Sequence, residues 1–243
     1  MVGQGSAHRR LHCHHPGQPG QALLYSWFWI LRRGRRALSS QPVISLQRRN
    51  PGNRYVFEPE VLREVAHSHL DLPLEEMIPA ITRELAERYP GLIETEPTWF
   101  YSNAGGTMGQ VAMLYASLRE YVIFFGSPIG SGGHTGRYRF VDDHSVVLDG
   151  EMWYYGEGDL RRTEYRQGDS VHLRRGEAKG FRMVDGAYIL EYARGPIPTM
   201  LPFGLADTVF STLDLTSLFR TIRLYARHVL RSTRRRRFTR SRV

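Results

Sequence analysis

The sequence predicts an α+β fold: a compact β jelly roll or barrel, with two helices before it and two after it. Short apolar runs punctuated by glycine crowd the middle of the chain. On either side of them, apolar residues recur at helical spacing. With 243 residues, 41% hydrophobic and 12% aromatic, the chain can bury one sizeable core and still carry terminal appendages.

Residues 1–53 read as a basic leader without an acidic residue. Its one apolar segment, 22–31, is flanked by Arg32, Arg33, Arg35 and Arg36. Ten residues reach about half of the roughly 20 needed to span a bilayer. The segment therefore reads as a short membrane anchor, an interfacial stretch or part of an arginine-rich leader. His12-Cys13-His14-His15 has metal-binding residue types but no second cluster to complete a site. Cys13 is the single cysteine, so no internal disulfide supports the fold.

Two helices are predicted over 54–96. Glu58-Pro59-Glu60 puts proline and acids in a first turn ahead of Val61, Leu62 and Val65. The second runs from Leu74 through Met77, Ile78, Ile81 and Leu85, with a kink expected at Pro79, and stops at Tyr89-Pro90-Gly91. His67 and His69, two positions apart, point to different faces and read as surface residues.

Over 97–196 the texture is β. Tyr121-Val122-Ile123-Phe124-Phe125, Ser145-Val146-Val147-Leu148, Met152-Trp153-Tyr154-Tyr155 and Ala187-Tyr188-Ile189-Leu190-Glu191-Tyr192 are separated by turn signals. Those include Gly156-Glu157-Gly158-Asp159, Gln167-Gly168-Asp169 and Val184-Asp185-Gly186. Spacing of this kind is that of a sandwich or barrel.

Helices return over 197–231. In the last of them Leu215, Leu218, Phe219, Ile222 and Val229 form an apolar face, with Ser211 or Thr212 as the expected cap. Arg220, Arg223, Arg227 and Arg231 fall on the other side, and a basic tail follows over 232–243. Such a helix packs on the domain or lies in a membrane surface.

Net charge divides the chain in the same places. All 24 acidic residues lie between Glu58 and Asp214, and residues 55–219 carry 14 basic residues against them, a net charge of −10. On charge alone, two arginine-rich ends suit anionic lipid headgroups, RNA or an import receptor about equally, and a plain solvated tail comes ahead of nucleic acid.

Glu191 sits inside an apolar strand run, where alternation gives it the same face as Ile189. A carboxyl buried there stays protonated unless paired; the alternative is an outward Glu191 bridged to Arg194. Asp142-Asp143 at a strand start reads by itself as a polar turn; a second carboxylate near Glu191 is the alternative, and two close carboxylates would share a proton. His134, His144 and His172 lack the paired His-x-His of metal cupins, so neither metal nor cofactor is expected. Gly105-Gly106-Thr107-Met108-Gly109 and the glycines of 126–133 lie in no strand-to-helix unit, which argues against phosphate binding.

Several segments together resemble the fungal C-8 sterol isomerase and sigma non-opioid intracellular receptor family. They are Tyr55-Val56-Phe57-Glu58-Pro59-Glu60-Val61-Leu62, Leu70-Asp71-Leu72-Pro73-Leu74-Glu75-Glu76, Asn103-Ala104-Gly105-Gly106, Gly133-His134-Thr135-Gly136-Arg137 and Leu190-Glu191-Tyr192-Ala193-Arg194-Gly195. The most distinctive is Ile197-Pro198-Thr199-Met200-Leu201-Pro202-Phe203-Gly204-Leu205-Ala206-Asp207-Thr208. Met200-Leu201-Pro202-Phe203-Gly204 and His172-Leu173-Arg174-Arg175-Gly176-Glu177 resemble the isomerase branch in particular, and Thr107 stands where the receptor has a large aromatic.

The resemblance implies a cupin-like β-barrel, a homotrimer, and membrane-associated terminal helices at the endoplasmic reticulum. It puts the essential glutamate at Glu191 and the essential aspartate at Asp142 or Asp143, with Asp143 favoured. Tyr121 and Phe125 match aromatic pocket residues, and His172, Leu201 and Tyr225 match lining positions. The implied activity is a shift of a sterol double bond from C8 to C7 by carboxylic acid/base chemistry, needing no cofactor. A receptor that binds amines or sterols without turnover is the alternative.

Overall fold

The computed structural model describes residues 54–240, with side chains as far as Arg234. The leader, its 22–31 segment and the His12-Cys13-His14-His15 cluster lie outside the described residues, as do the side chains of the arginine tail.

Helices α1 (Pro59–His67) and α2 (Leu74–Arg88) come first, and α2 continues through Pro79. Eight strands follow: β1 (Trp99–Ala104), β2 (Thr107–Ala116), β3 (Glu120–Ser127), β4 (Ser131–His134), β5 (Asp142–Tyr155), β6 (Thr163–Arg166), β7 (Ser170–Leu173) and β8 (Gly180–Arg194). A short 3-10 turn, Ile197–Thr199, leads into α3 (Leu201–Phe210) and α4 (Leu215–Arg240). The strands form one antiparallel sheet in the order β1-β2-β3-β8-β5-β6, with β4 added to β8 and β7 to β5. The fold is α+β, with one open antiparallel sheet between two pairs of helices in the chain, as expected.

Two strands are longer than the sequence suggests. The runs 145–148 and 152–155 belong to the single strand β5, and Val184-Asp185-Gly186 lies inside β8 rather than at a turn. The reason is bulging. The β5–β8 register shifts between Val147 and Asp149 and again between Gly150 and Met152, where Gly150 (φ +81°) and Gly186 (φ +133°) take conformations that only glycine adopts freely. A glycine at a bulge bends a strand without ending it.

The rolled sheet has two different faces. Outward, Leu114, Val122, Phe124, Val146, Leu148, Leu190 and Tyr192 meet Phe57 and the apolar stripes of α1 and α2. Leu62, Val65, Met77, Ile81 and Leu85 are all at most 3% exposed. At about 1.5–3 kcal/mol for each large apolar side chain, this layer contributes on the order of 10 kcal/mol. Glu120, fully buried, ties the strap before α1 to the sheet: it accepts from the backbone N–H groups of Val56 (2.9 Å) and Phe57 (3.3 Å), beside the Tyr192 hydroxyl, whose shorter bond is to Phe57 O (2.9 Å). Inward, Phe125, Val147, Met152, Val171, Met183, Ala187 and Ile189 fill one part of the roll.

Helix α4 is capped by Asp214, whose carboxylate accepts from the Ser217 N–H at 3.0 Å, rather than by Ser211 or Thr212. Those two residues instead donate their N–H groups back to Asp207 O, closing α3. Toward the sheet α4 turns Ser217, Thr221, Leu224, Tyr225, His228 and Ser232. Arg231 binds Glu94 at 3.0 Å. Four of its apolar residues face away: Leu215, Phe219, Ile222 and Leu230 are 56%, 67%, 48% and 60% exposed, whereas Leu218 and Val229 of the expected apolar face are half-buried. The helix is thus docked by its more polar side. Among the described residues no helix is long and apolar enough to cross a membrane.

Candidate active site

Strand register builds the site. Across β5 and β8, Asp143 stands opposite Ala193 and Ser145 opposite Glu191. Across β3 and β8, Tyr121 stands opposite Ala193 and Ile123 opposite Glu191. Residues opposite one another share a face, and so do alternate residues along a strand. Tyr121, Glu191 and Asp143 therefore project from three neighbouring strands into the interior, each diagonal to the next and within side-chain reach.

The side chains meet as the register requires. The Tyr121 hydroxyl donates to Glu191 Oε1, and Asp143 hydrogen-bonds the Glu191 carboxyl. The second Asp143 oxygen, Oδ1, is buried without a partner among the described residues. Asp143 is 8% exposed, whereas Tyr121 and Glu191, though enclosed by protein, keep some accessible surface.

Burial pushes Asp143 well above the ordinary carboxylate range, and the Glu191 charge beside it pushes the same way. Burial also raises Glu191, but the hydrogen bonds from Tyr121 and Asp143 hold that rise back. The two carboxyls titrate as a pair that shares a proton, with both shifted upward by burial. Three tyrosines feel both carboxylates. Tyr121, Tyr138 and Tyr154 are each raised first by burial and then by the charges of Asp143 and Glu191, and remain neutral hydroxyls.

Asp142 goes elsewhere. One residue earlier on β5, it faces outward, where it meets Arg175 at 3.0 Å, His172 at 3.8 Å and Arg194 at 3.9 Å. This places Arg194 with Asp142 rather than Glu191. His172 pairs across β7 with His144, and the two rings stack at 4.1 Å on that outer face. Burial, with His172 and Arg194 nearby, pulls His144 down to about 4. A cavity of about 140 Å3 lies beside them against α1, lined by Glu60, Leu62, Ser170 and Tyr192 among others. The structure thus does not bring Asp142 or His172 to Glu191. Among the described residues no cluster of three or more His, Cys, Asp or Glu could hold a metal ion.

The other lining candidates lie near the interior end of the roll. Phe125 points inward across Gly109, where a Cβ would come within 2.8 Å of its ring. Tyr225 of α4 packs with Tyr121 and Tyr138 over Val141, Ala193, Ile197 and Met200, and its hydroxyl donates to Ser117 O at 3.3 Å. Leu201 opens α3 and is half-buried. Tyr138 and Tyr154 went unmarked in the sequence: Tyr154 reaches the interior through bulges that alternation alone does not register.

Three separated motifs converge beside this end. Gly105 and Gly106, both at positive φ, turn β1 into β2, and Gly105 O accepts from the His134 N–H at 2.8 Å. A Cβ on Gly105 would lie 2.3 Å from His134 O and 2.6 Å from the Phe203 ring. Asp207 accepts from the Gly106 N–H at 2.7 Å, and Thr208 donates to Asn103 O at 3.3 Å. The hairpin, the Gly-His-Thr-Gly-Arg loop and α3 are thereby locked together.

A family model described as "ERG2 and Sigma1 receptor like protein" matches residues 37–237. The chain belongs to this family. It is 39% identical over 179 residues to the sigma non-opioid intracellular receptor 1 of Gallus gallus, covering 73% of this chain and 80% of that one. It is 39% identical over 188 residues to the C-8 sterol isomerase erg2 of Aspergillus fumigatus, covering 76% and 78%. With the C-8 sterol isomerase of Mycosarcoma maydis the identity is 46% over 136 residues, or 56% of each chain. Both branches of the family are thus matched at comparable identity. Among solved structures, the chain is similar to an RmlC-like cupin from Shewanella frigidimarina at 18% identity and a TM-score of 0.33, over 39% of this chain and 82% of that one.

Proposed function

We propose that this chain is a sterol isomerase that moves a ring double bond from C8 to C7. The observation that carries the reading is the hydrogen-bonded Asp143–Glu191 pair, buried together with Tyr121 on the interior face of the sheet. An alkene is a very weak base, so protonating it needs an acid kept neutral by its surroundings and an interior from which water is excluded. Asp143 supplies the proton: the C8=C9 electron pair takes it to form a C9–H bond, leaving a cation at C8. Glu191 then removes a proton from C7, and that C–H pair becomes the C7=C8 double bond. The proton gained by Glu191 returns to Asp143 through the hydrogen bond that joins them, so no external donor is consumed. Between the two steps the anionic side of the pair stabilises the cation.

The outward apolar residues of α4 and the arginines that accompany them support a membrane-surface position, at the endoplasmic reticulum, from which a lipid substrate is drawn. Assembly as a homotrimer is proposed with it, on the family resemblance. A second reading, a receptor binding sterols or cationic amines without turnover, is favoured by the equal identity to sigma receptors. The same dyad would hold an amine by its charge.

Expression in a yeast strain that accumulates Δ8-sterols tests the choice. Formation of Δ7-sterols that is lost with Glu191→Gln establishes the isomerase; amine binding with no conversion establishes the receptor.

A further inference from the structure

Two inward hydroxyls lack a proper partner. Tyr154, 5% exposed, stacks on Phe181 at 5.7 Å and meets Tyr165 edge-on at 5.4 Å. Its hydroxyl is matched only with the thioether of Met152, at 3.8 Å, a weak acceptor. A buried phenol ordinarily finds a full hydrogen bond. Thr107 is 3% exposed, and its Oγ1 is buried with no partner among the described residues. Alternation along β2 puts Thr107 on the face of Gly109 and Val111, which is the interior face.

The two hydroxyls share one level of the wall. Thr107 Oγ1 lies against Gly133, where a Cβ would come within 2.6 Å of it. Gly133 stands opposite Phe181 on β8, and Phe181 opposite Tyr154 on β5. The band therefore runs Thr107, Gly133, Phe181, Tyr154, with a ring between the two hydroxyls. The interior residues around it, Val147, Val171, Met183 and Ile189, are apolar and can satisfy neither. Leaving two polar groups unpaired is unfavourable unless a ligand completes them.

We propose that Tyr154 and Thr107 form a polar anchor for the hydroxyl group of the substrate. The proposal rests on the sterol reading above. The ligand hydroxyl accepts from Tyr154 on one side of the Phe181 ring, and Thr107 offers a second polar contact at the same level of the wall on the other. A sterol is a rigid apolar ring system with a hydroxyl at one end and the reacting double bond in its middle. Because β5 is bent by its two bulges, Tyr154 comes back within electrostatic range of Asp143 and Glu191. Anchoring the hydroxyl end thus presents the middle of the rings to the dyad, so that both residues act as positioning groups.

Equilibrium binding to the full chain in detergent tests this, using a Δ8-sterol with a free 3-hydroxyl and its 3-deoxy counterpart. The wild-type chain is expected to prefer the hydroxylated sterol about tenfold. Tyr154→Phe and Thr107→Val each reduce the preference to roughly threefold and the pair abolishes it, while Thr107→Ser retains it. A double variant that keeps the wild-type ratio overturns the anchor. So does a wild-type chain that binds both sterols equally, a result that needs no variant and leaves the sterol reading standing. If the wild-type chain binds neither sterol, the anchor and the sterol reading fall together.

Discussion

Asp142 and Asp143, consecutive along β5, face opposite sides of the sheet: Asp143 shares the interior with Glu191, and Asp142 lies outside among Arg175, Arg194 and His172. Two like side chains at adjacent positions thereby acquire opposite electrostatic surroundings.

The two aspartates are expected to separate sharply on substitution. Asp143→Asn removes the proton donor and lowers turnover of a Δ8-sterol by about 10²–10⁴-fold. Asp142→Asn breaks ion pairs at a partly exposed site and changes turnover by less than about threefold. Sterol profiles of microsomes carrying each variant decide it; equal losses would place both aspartates in the chemistry.

Stability should fall with rising pH because of the dyad. Burial keeps Asp143 and Glu191 protonated in the folded chain above the pH at which they ionise when unfolded, about 4. The unfolded state therefore releases protons first, and the penalty grows as pH rises from about 4 toward the folded-state values. Asp143→Asn, which cannot ionise, is expected to melt a few degrees higher than wild type at pH 8 and to lose that advantage near pH 4. Thermal unfolding at the two pH values checks the sign.

Glu120 is expected to be structural. Glu120→Ala removes the acceptor of the Val56 and Phe57 N–H groups, costing roughly 3 kcal/mol, while the Tyr192 hydroxyl keeps its 2.9 Å bond to Phe57 O; Glu120→Gln costs less. Denaturant unfolding monitored beside a sterol-binding assay distinguishes this from a role in the site: the variants lose stability while the folded fraction keeps its affinity.

The outward face of α4 is expected to hold the chain at a bilayer. Phe219→Asp together with Ile222→Asp removes two exposed apolar side chains worth about 1.5–3 kcal/mol each when buried, so co-flotation with anionic vesicles drops at least about tenfold. The melting temperature stays put, since neither residue packs on the sheet. Unchanged flotation would assign this face to another partner.

The element sequence was legible because its signals are local. Pro59 after Glu58 starts α1, glycine pairs mark the tight turns, and the 2.0 and 3.6 periods separate strands from helices. Strand lengths were not, because Gly150 and Gly186 read as turns when the long β5–β8 pairing makes them bulges. Glu191 was reachable by alternation with Ile189, though an outward glutamate fitted as well until the register with β3 and β5 was known. Choosing between Asp142 and Asp143 needs that same register, which depends on pairing partners far away in the chain. The docking side of α4 followed the opposite logic from a soluble amphipathic helix: its apolar residues were legible, but the direction many of them face depends on Tyr225 and Arg231 reaching Ser117 and Glu94 in loops beside the sheet.

The parity of β5 has a consequence for how this chain can vary in length. Deleting or adding one residue between Val141 and the Gly150 bulge would leave the hydrophobic count almost untouched, yet would turn Asp143 outward and bring its neighbour Asp142 or His144 inward in its place. Indels in the β5–β6 loop, around the fully exposed Leu160, carry no such penalty. The stretch from Val141 to Gly150 thus behaves like a reading frame: substitutions within it are graded in effect, and frameshifts are all-or-none.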